Sequence, residues 1–344
     1  MNSNASRIAA MMVAAGMDLS SARIYGQEGI LPAGSALAHE GIALANDTQF
    51  VESNYSRPLT TYVVGWADNS DLMSELDFLF PPVQVPRRFS YKSATNAEEF
   101  LEDSADEDIR EIGSEFKYVK DYTSSEVNAA TLNKGLTIKI DLDRVADQAN
   151  WREIYTARLM GRLLRAELRR GLALINAASV NTAKTWGSSA DPDQDVMTQI
   201  TNAADISGVK PNRVYYGESA WTLRRTSFRQ QNTAGGFAGA SLNETELASY
   251  LGVDRVLQSG SRYQSSASAK TQFGGSRVFL FNAMDGASER DASNAKRFWT
   301  PCTDGTMVRV YEQQVSAKIY QITVEHYSLP RITSTLGIRK LTIS

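Results

Sequence analysis

Two histidines, one cysteine and scattered carboxylates are what this chain offers for acid–base, nucleophilic or metal chemistry, and their spacing suits none of it. His39 lies in a Gly- and Ala-rich tract and His326 in a β-prone segment, where a structural strand residue is expected. Cys302, beside Pro301, has no motif linking it to a histidine and reads as an ordinary thiol. As the single cysteine it excludes an intramolecular disulfide and any multi-thiolate metal site. "DPDQDV" from Asp191 opens like a calcium loop, but Val196 replaces the sharp-turn Gly and Asn202 the bidentate Glu. "GGFAG" (Gly235–Gly239) lacks the Gly-Lys-Ser/Thr of a phosphate loop and reads as a flexible surface loop. No Gly-x-Ser-x-Gly, His-Glu-x-x-His or dinucleotide fingerprint occurs. The expectation is a non-enzyme with no cofactor and no metal. An enzyme with a site assembled from scattered carboxylates is the rival from another class.

Charge is the organised signal. Asn96 to Glu115, "NAEEFLEDSADEDIREIGSE", holds nine carboxylates against Arg110 alone. Arg158, Arg162, Arg165 and Arg169 recur at i, i+4, i+7 and i+11, which is one edge of a helix. Complementary charge on separate pieces suits association between subunits, where it fixes register. The candidate contact sets Glu102, Asp103, Asp106 and Glu107 of one subunit against this Arg row of its neighbour. In the competing arrangement the acid run is a solvated helical face and the arginines pair at home, with Glu153 or Asp141–Asp143.

These residues need elements to carry them. From Asn150 to about Asn181, "NWREIYTARLMGRLLRAELRRGLALINAASVN" is dominated by good helix formers and contains no Pro. Trp151, Tyr155, Leu159, Leu163 and Ala166 line one flank; Ile154, Ala157, Met160, Leu164 and Leu168 line the other. Apolar on two sides and basic along one edge, it is expected to be a spine packed between layers, roughly 48 Å long at the α-helical rise. Before it, Val83–Val85 and Phe89–Tyr91 suggest one extended limb, and Phe116–Val119 and Leu136–Ile140 the returning one, with the acid run between them.

Around these pieces the chain reads as follows. Residues 1–55 form an arm with a short helix, Ala5 to Ala15, and no core pattern. Pro58 onward gives a short apolar run and a helical turn ended by Pro81 and Pro82. Thr185 to Asp195 is loop; Met197 to Ala204 is helix; Val214–Tyr216 is a strand leading to a helix with Trp221 and Leu223. Asn243 and Glu246 form a capping box for a helix that ends at Gly252. Val253–Leu257 and Val278–Phe281 are strands joined by a Ser-rich loop, and β signal dominates from Met307 to Val324 and at Leu341–Ile343. At 344 residues, 42% apolar and 22% charged, the chain is folded and has two or more lobes. No apolar run is long enough for a membrane span, Ile8 to Ala15 lacks the basic flank of a secretory signal, and the lone cysteine fits a reducing compartment. A net charge of −3 gives no global reason to bind nucleic acid.

In this order the parts resemble the major capsid protein of tailed bacteriophages, the Hong Kong-type capsid fold. "NWREIYTARLMGRLLRAELRRGLALINAA" is similar to that family's spine helix. "PNRVYYGESAWTLRR" is similar to its strand–Gly–helix element, and "VYEQQVSAKIYQITVEHYSLPRIT" to its closing strands. The resemblance covers roughly residues 57–344 and implies an α+β fold. It implies an N-terminal arm (1–55), an extended E-loop (83–140), a peripheral (P) domain (56–82, 141–189 and 306–344) and an axial (A) domain (190–305). It further implies self-assembly into hexamers and pentamers around double-stranded DNA, contacted weakly and without sequence preference. Portal and cement proteins would be further partners, and the location a virion capsid assembled in host cytoplasm, with no membrane. Some members carry a long, proteolysed scaffolding segment at the N-terminus; the arm here is short, so a separate scaffolding protein is expected. Others join Lys to Asn between subunits; Lys92, Lys117 and Lys120 lie on the extension, but no motif assigns such a bond. An encapsulin-like nanocompartment shell shares this fold and is the alternative.

Overall fold

The structure, a computed structural model of the full chain, describes residues 52–65, 71–93, 109–110, 112–113, 115, 125–286 and 291–344. The arm helix, His39, the limb at Phe116–Val119, Lys117, Lys120 and the acidic residues Glu102, Asp103, Asp106 and Glu107 lie outside them. The chain divides into two compact units, 1–55 and 56–344. Of the first, the described part is residues 52–55, a 3-10 turn (Glu52–Asn54) followed by Tyr55.

The second unit is built on helix α3. Its bounds require two others first: α1 (Arg57–Val64) and α2 (Leu72–Leu79). Helix α3 (Trp151–Ala178) runs 28 residues, roughly 42 Å at the α-helical rise. Leu159, Leu163, Met160, Leu164 and Leu168 are buried, so both expected flanks carry core residues; Ile154 is exposed. The helix stops earlier than Asn181, because the β-branched Val180 begins a strand instead.

Helix α3 covers a five-stranded sheet. Strands β1 (Pro82–Gln84), β2 (Arg88–Ser93), β3 (Ser125–Ala130) and β4 (Leu132–Asp141) precede the spine. Strands β5 (Val180–Lys184) to β10 follow it: β6 (Arg213–Tyr216), β7 (Arg255–Gln258), β8 (Arg262–Gln264), β9 (Lys270–Gln272) and β10 (Arg277–Phe281). The last four are β11 (Ala295–Thr300), β12 (Val308–Gln314), β13 (Ile319–Ile332) and β14 (Arg339–Ile343). Strand β13 is the hub. One edge takes β12 over Tyr320–His326 and then β11 over Tyr327–Ile332, while the other takes β4 over Ile319–Ser328. The β2–β3 hairpin pairs only within itself, and Phe89 and Tyr91 seat it on Phe298 of β11 at 4.6 and 5.2 Å.

A second sheet, ordered β5-β14-β10-β6-β7, has its strands β10 and β6 buried on both faces. Alternate residues along it point to different cores. Tyr215, Phe279 and Phe281 join the spine's core, whereas Val214, Tyr216, Val278 and Leu280 join another with Val196, Trp221 and Leu247. Near-continuous apolar runs, VYY and VFLF, follow from that two-sided burial. The second core is closed by helices α4 (Pro192–Ser207), α5 (Glu218–Gln230), α6 (Ala234–Ser241) and α7 (Glu244–Leu251).

Several local expectations change. The apolar run at Pro58 is helical, with Pro in the first turn where its fixed φ fits. "DPDQDV" is a helix start: Asp191 Oδ1 accepts the Gln194 N–H at 3.1 Å, so α4 begins five residues before Met197. "GGFAG" is helix α6, not loop. Thr233 Oγ1 accepts the Gly236 N–H at 3.0 Å, and the glycines let α6 lie on Phe228 of α5, whose ring is 3.1 Å from a Cβ at Gly239. The Ser-rich loop holds the β8–β9 hairpin, and β11 was not anticipated at all. The capping box at Asn243 and Glu246, and the left-handed Gly252 (φ 64°), are as expected.

Gly171 has a packing reason. A Cβ there would sit 2.7 Å from the Phe80 ring, which is wholly buried. At Gly161 the nearest atom is the movable Arg165 Nη1, at 3.1 Å. In an unassembled subunit, Gly171→Ala should destabilise by about 1–2 kcal/mol, since overpacking exceeds the ~1 kcal/mol gained in helix propensity. Gly161→Ala should be neutral or stabilising by up to about 1 kcal/mol. Urea unfolding curves check this; equal shifts for the two variants would contradict the packing argument.

Candidate functional site

Two groups of charge meet on α3, one sealed inside and one facing out. Inside, Glu167 points into the core one turn beyond Leu163 and Leu164. Lys134 Nζ, from β4, donates to its two oxygens at 2.7 and 2.8 Å, Ser328 Oγ of β13 donates at 2.7 Å, and Arg170 completes the pairing. Burial alone would raise the Glu167 carboxyl, but Lys134, His326 and the hydrogen bonds outweigh it and hold the pKa at about 2. Burial draws Lys134 below the ordinary lysine value, and Glu167 opposes that. Burial likewise lowers His326 to about 4, so the ring is neutral at pH 7.

Ser328, His326 and Glu167 are the residue types of a nucleophilic triad, with Ser328 Oγ 3.2 Å from His326 Nε2. The order of contacts is wrong for that chemistry. The carboxylate accepts from the serine and from Lys134, where a triad needs it to orient the histidine. All three side chains are also out of solvent: 0%, 2% and 0% exposed. They hold strands to a helix. Cys302 is buried, and its thiol is pushed up to about 11, first by burial, which makes it a poor nucleophile.

The outward edge carries the Arg row. Arg158 stacks on Tyr155 at 5.1 Å, a helical neighbour. Arg162, Arg165 and Arg169 line a cleft of about 1470 Å³ between α3, the start of α2 and the β8–β9 hairpin, where Arg262 and Lys270 add to the positive charge. Arg169 lies over the Tyr263 ring at 4.9 Å. Among the described residues, no ion pair joins the row to Glu153, Asp141 or Asp143. Asp143 pairs with Lys318 at 2.5 Å, and Asp141 accepts the Asp143 N–H. The carboxylates in the lining are mostly committed elsewhere. Glu75 accepts from Tyr215 Oη at 2.5 Å and Ser259 Oγ at 2.6 Å, and Glu244 accepts the Gln258 N–H at 2.7 Å. Asp71 is exposed. Sequence reasoning set the four arginines along one helix edge; it missed the cleft that three of them line, with Arg262 and Lys270, and the buried Lys134–Glu167 pair. Glu167 was detectable, since its helical phase lies within the apolar flanks.

The buried groups set an acid response. The folded pKa of Glu167 lies below its ordinary 4.5, so its stabilisation is complete above about 4.5 and lost as pH falls through about 2. His326 also has a lowered folded pKa, so the unfolded chain takes up its proton first and stability falls between about 6.5 and 4. Each term is on the order of 3 kcal/mol when fully expressed. His326→Gln should flatten the stability profile between pH 6.5 and 4, while Glu167→Gln, leaving Lys134 buried and unpaired, should cost about 3–5 kcal/mol at pH 7. Denaturant melts across pH 3 to 8 test both, and an unchanged slope for His326→Gln would contradict the assignment.

No family model matches the sequence. No curated protein matches it either. Solved structures do. A phage-related protein from Bordetella bronchiseptica RB50 superposes with a TM-score of 0.60 at 16% identity, covering 83% of this chain and 96% of that one. The mature capsid of bacteriophage PhiM1 gives a TM-score of 0.46 at 10% identity, covering 81% and 89%. A holo encapsulin complex from Synechococcus elongatus PCC 7942 gives 0.46 at 11%, covering 83% and 95%. At such identities the likeness is one of fold, and the chain has the α+β fold of the phage-related protein.

Proposed function

We propose that the chain is a major capsid protein, assembling as hexamers and pentamers into the icosahedral head of a tailed double-stranded DNA phage. The observation that supports this best is architectural. A long spine buried on both flanks lies over a sheet from which a hairpin departs toward an acid run, in a fold matched over 96% of the phage-related protein. In this reading β2 and β3 are the described strands of the E-loop, β4 and β11 both pair with β13 of the P domain, and β14 joins β10 of the A domain to β5. The polar groups that could suggest catalysis serve as internal ties, consistent with a building block. Packaged DNA is contacted weakly and non-specifically, in keeping with the net charge of −3. A portal completes the head, which forms in host cytoplasm.

Electron microscopy of the purified full chain, with analysis of its contents, tests this reading. The account expects closed shells of uniform diameter, filled with DNA when taken from a producing host. Shells carrying protein cargo would replace the phage reading with an encapsulin-like one. Stable small oligomers at all concentrations would overturn both.

A further inference from the structure

We infer that the cleft between α3 and the β8–β9 hairpin is a seat for the phosphate backbone of a nucleic acid, held by charge and without reading of sequence. That the polymer is the packaged genome rests on the shell reading; the chemistry of the cleft does not. Three observations carry it. The first is charge without a local partner. The lining sets Arg162, Arg165, Arg169, Arg262 and Lys270 against Asp71, Glu75 and Glu244, a local excess of cations on a chain of net charge −3. Glu75 and Glu244 accept internal hydrogen bonds, and Arg262 is bound to Glu218 at 2.5 Å. Arg162, Arg169 and Lys270 are exposed, and none bridges to a carboxylate among the described residues.

The second is the kind of group the lining exposes. Its apolar members are withdrawn: Leu72 is wholly buried, and Ala166, Leu257 and Tyr263 are half-buried, with Arg169 over the Tyr263 ring at 4.9 Å. A protein partner is anchored by aromatic and aliphatic contacts in a dry centre, and the exposed lining offers no apolar side chain for them. What it exposes besides the cations includes Ser74, Gln264, Ser265 and Ser266. Arg, Lys, Ser and Gln are the side chains that bind phosphate oxygens, the guanidinium in a two-pronged fit. The third is reach. Arg162 and Arg169 are seven residues apart on one face of α3. That is about 10.5 Å at the helical rise, or about three phosphate steps of ~3.4 Å along one strand of a duplex. Lys270, on β9, comes from the facing wall. At about 1470 Å³ the cleft also exceeds the ~300–1,000 Å³ of small-molecule pockets, as a trough for a length of polymer must.

The test uses unassembled full-length chains with fluorescein-labelled duplexes and single strands of about 20 nucleotides, read by anisotropy from about 50 to about 200 mM salt. Three available cations predict log–log salt slopes of about −2.7 for the duplex and about −2.1 for the single strand, so duplex binding should weaken about 40-fold over that range. Strands of different sequence should bind alike. Arg162→Gln, Arg169→Gln and Lys270→Gln should each reduce the duplex slope by about 0.9, and the triple variant should bind at least about tenfold more weakly at the lower salt. Arg229→Gln, at an exposed position outside the cleft, should leave the slope unchanged. Urea melts check that each variant is folded. Absence of duplex binding at the lower salt would overturn the inference, as would a folded triple variant that binds like the parent. So would a marked sequence preference. A polyglutamate peptide of equal charge that displaces the labelled duplex as well as unlabelled duplex does would make the cleft a seat for an acidic protein, and equally overturn it. Because binding is read on unassembled chains, its failure is distinguishable from failure to form shells.

Discussion

A carboxylate held away from water constrains everything around it. Glu167 is fully buried, and a lone charge in that position would cost several kcal/mol. Its compensation comes from three elements: Lys134 on β4, Ser328 on the remote β13 and Arg170 one turn along α3 itself. The spine, the hub strand and the strand returning from the excursion are thereby fixed in one register. A hydrophobic contact at the same place would tolerate a slip; a three-way hydrogen-bonded charge does not. The same solution recurs nearby. Arg297 meets Asp77 at 2.6 Å, Arg213 donates to the Phe78 carbonyl at the C-terminal end of α2 at 2.6 Å, and Arg224 grips Asp193 through two bonds of 2.6 and 2.7 Å.

These ties commit many of the described interior polar groups to holding elements together. The sheet β5-β14-β10-β6-β7 serves two cores at once, so what happens on one side is felt on the other through shared backbone. Strand β14, at the end of the chain, closes that wall beside β10 and β5. On the outside, the cations of the spine edge are the most organised charge among the described residues.

Much of this was legible in the sequence where one physical rule dominates locally. The spine follows from helical periodicity over 28 residues, and the capping box at Asn243 from a fixed three-residue spacing. What was not legible depended on partners remote in sequence. Gly235–Gly239 looks like a loop because glycine disfavours helix; the neighbour Phe228, which makes the small residues useful, cannot be read locally. Strand β11, "AKRFWT", carries two cations that a strand pattern would send to solvent, yet Lys296 and Arg297 are buried because Asp291 and Asp77 await them. Of the candidate site, the Arg row could be read from its spacing. The cleft that three of its members line could not, since Arg262 and Lys270 come from a hairpin hidden in a Ser-rich stretch.

The central proposal is that the described residues of 56–344 form one building block whose basic spine edge faces nucleic acid in the assembled particle. A three-dimensional reconstruction of the assembled particle at side-chain detail measures this most directly. The account predicts that this body fits every symmetry-distinct position with the Lys134–Glu167–Ser328 cluster unchanged and density from nucleic acid against Arg162 and Arg169. A particle in which that edge faces open solvent or another subunit at every position, or in which the spine and β4 separate, would contradict it.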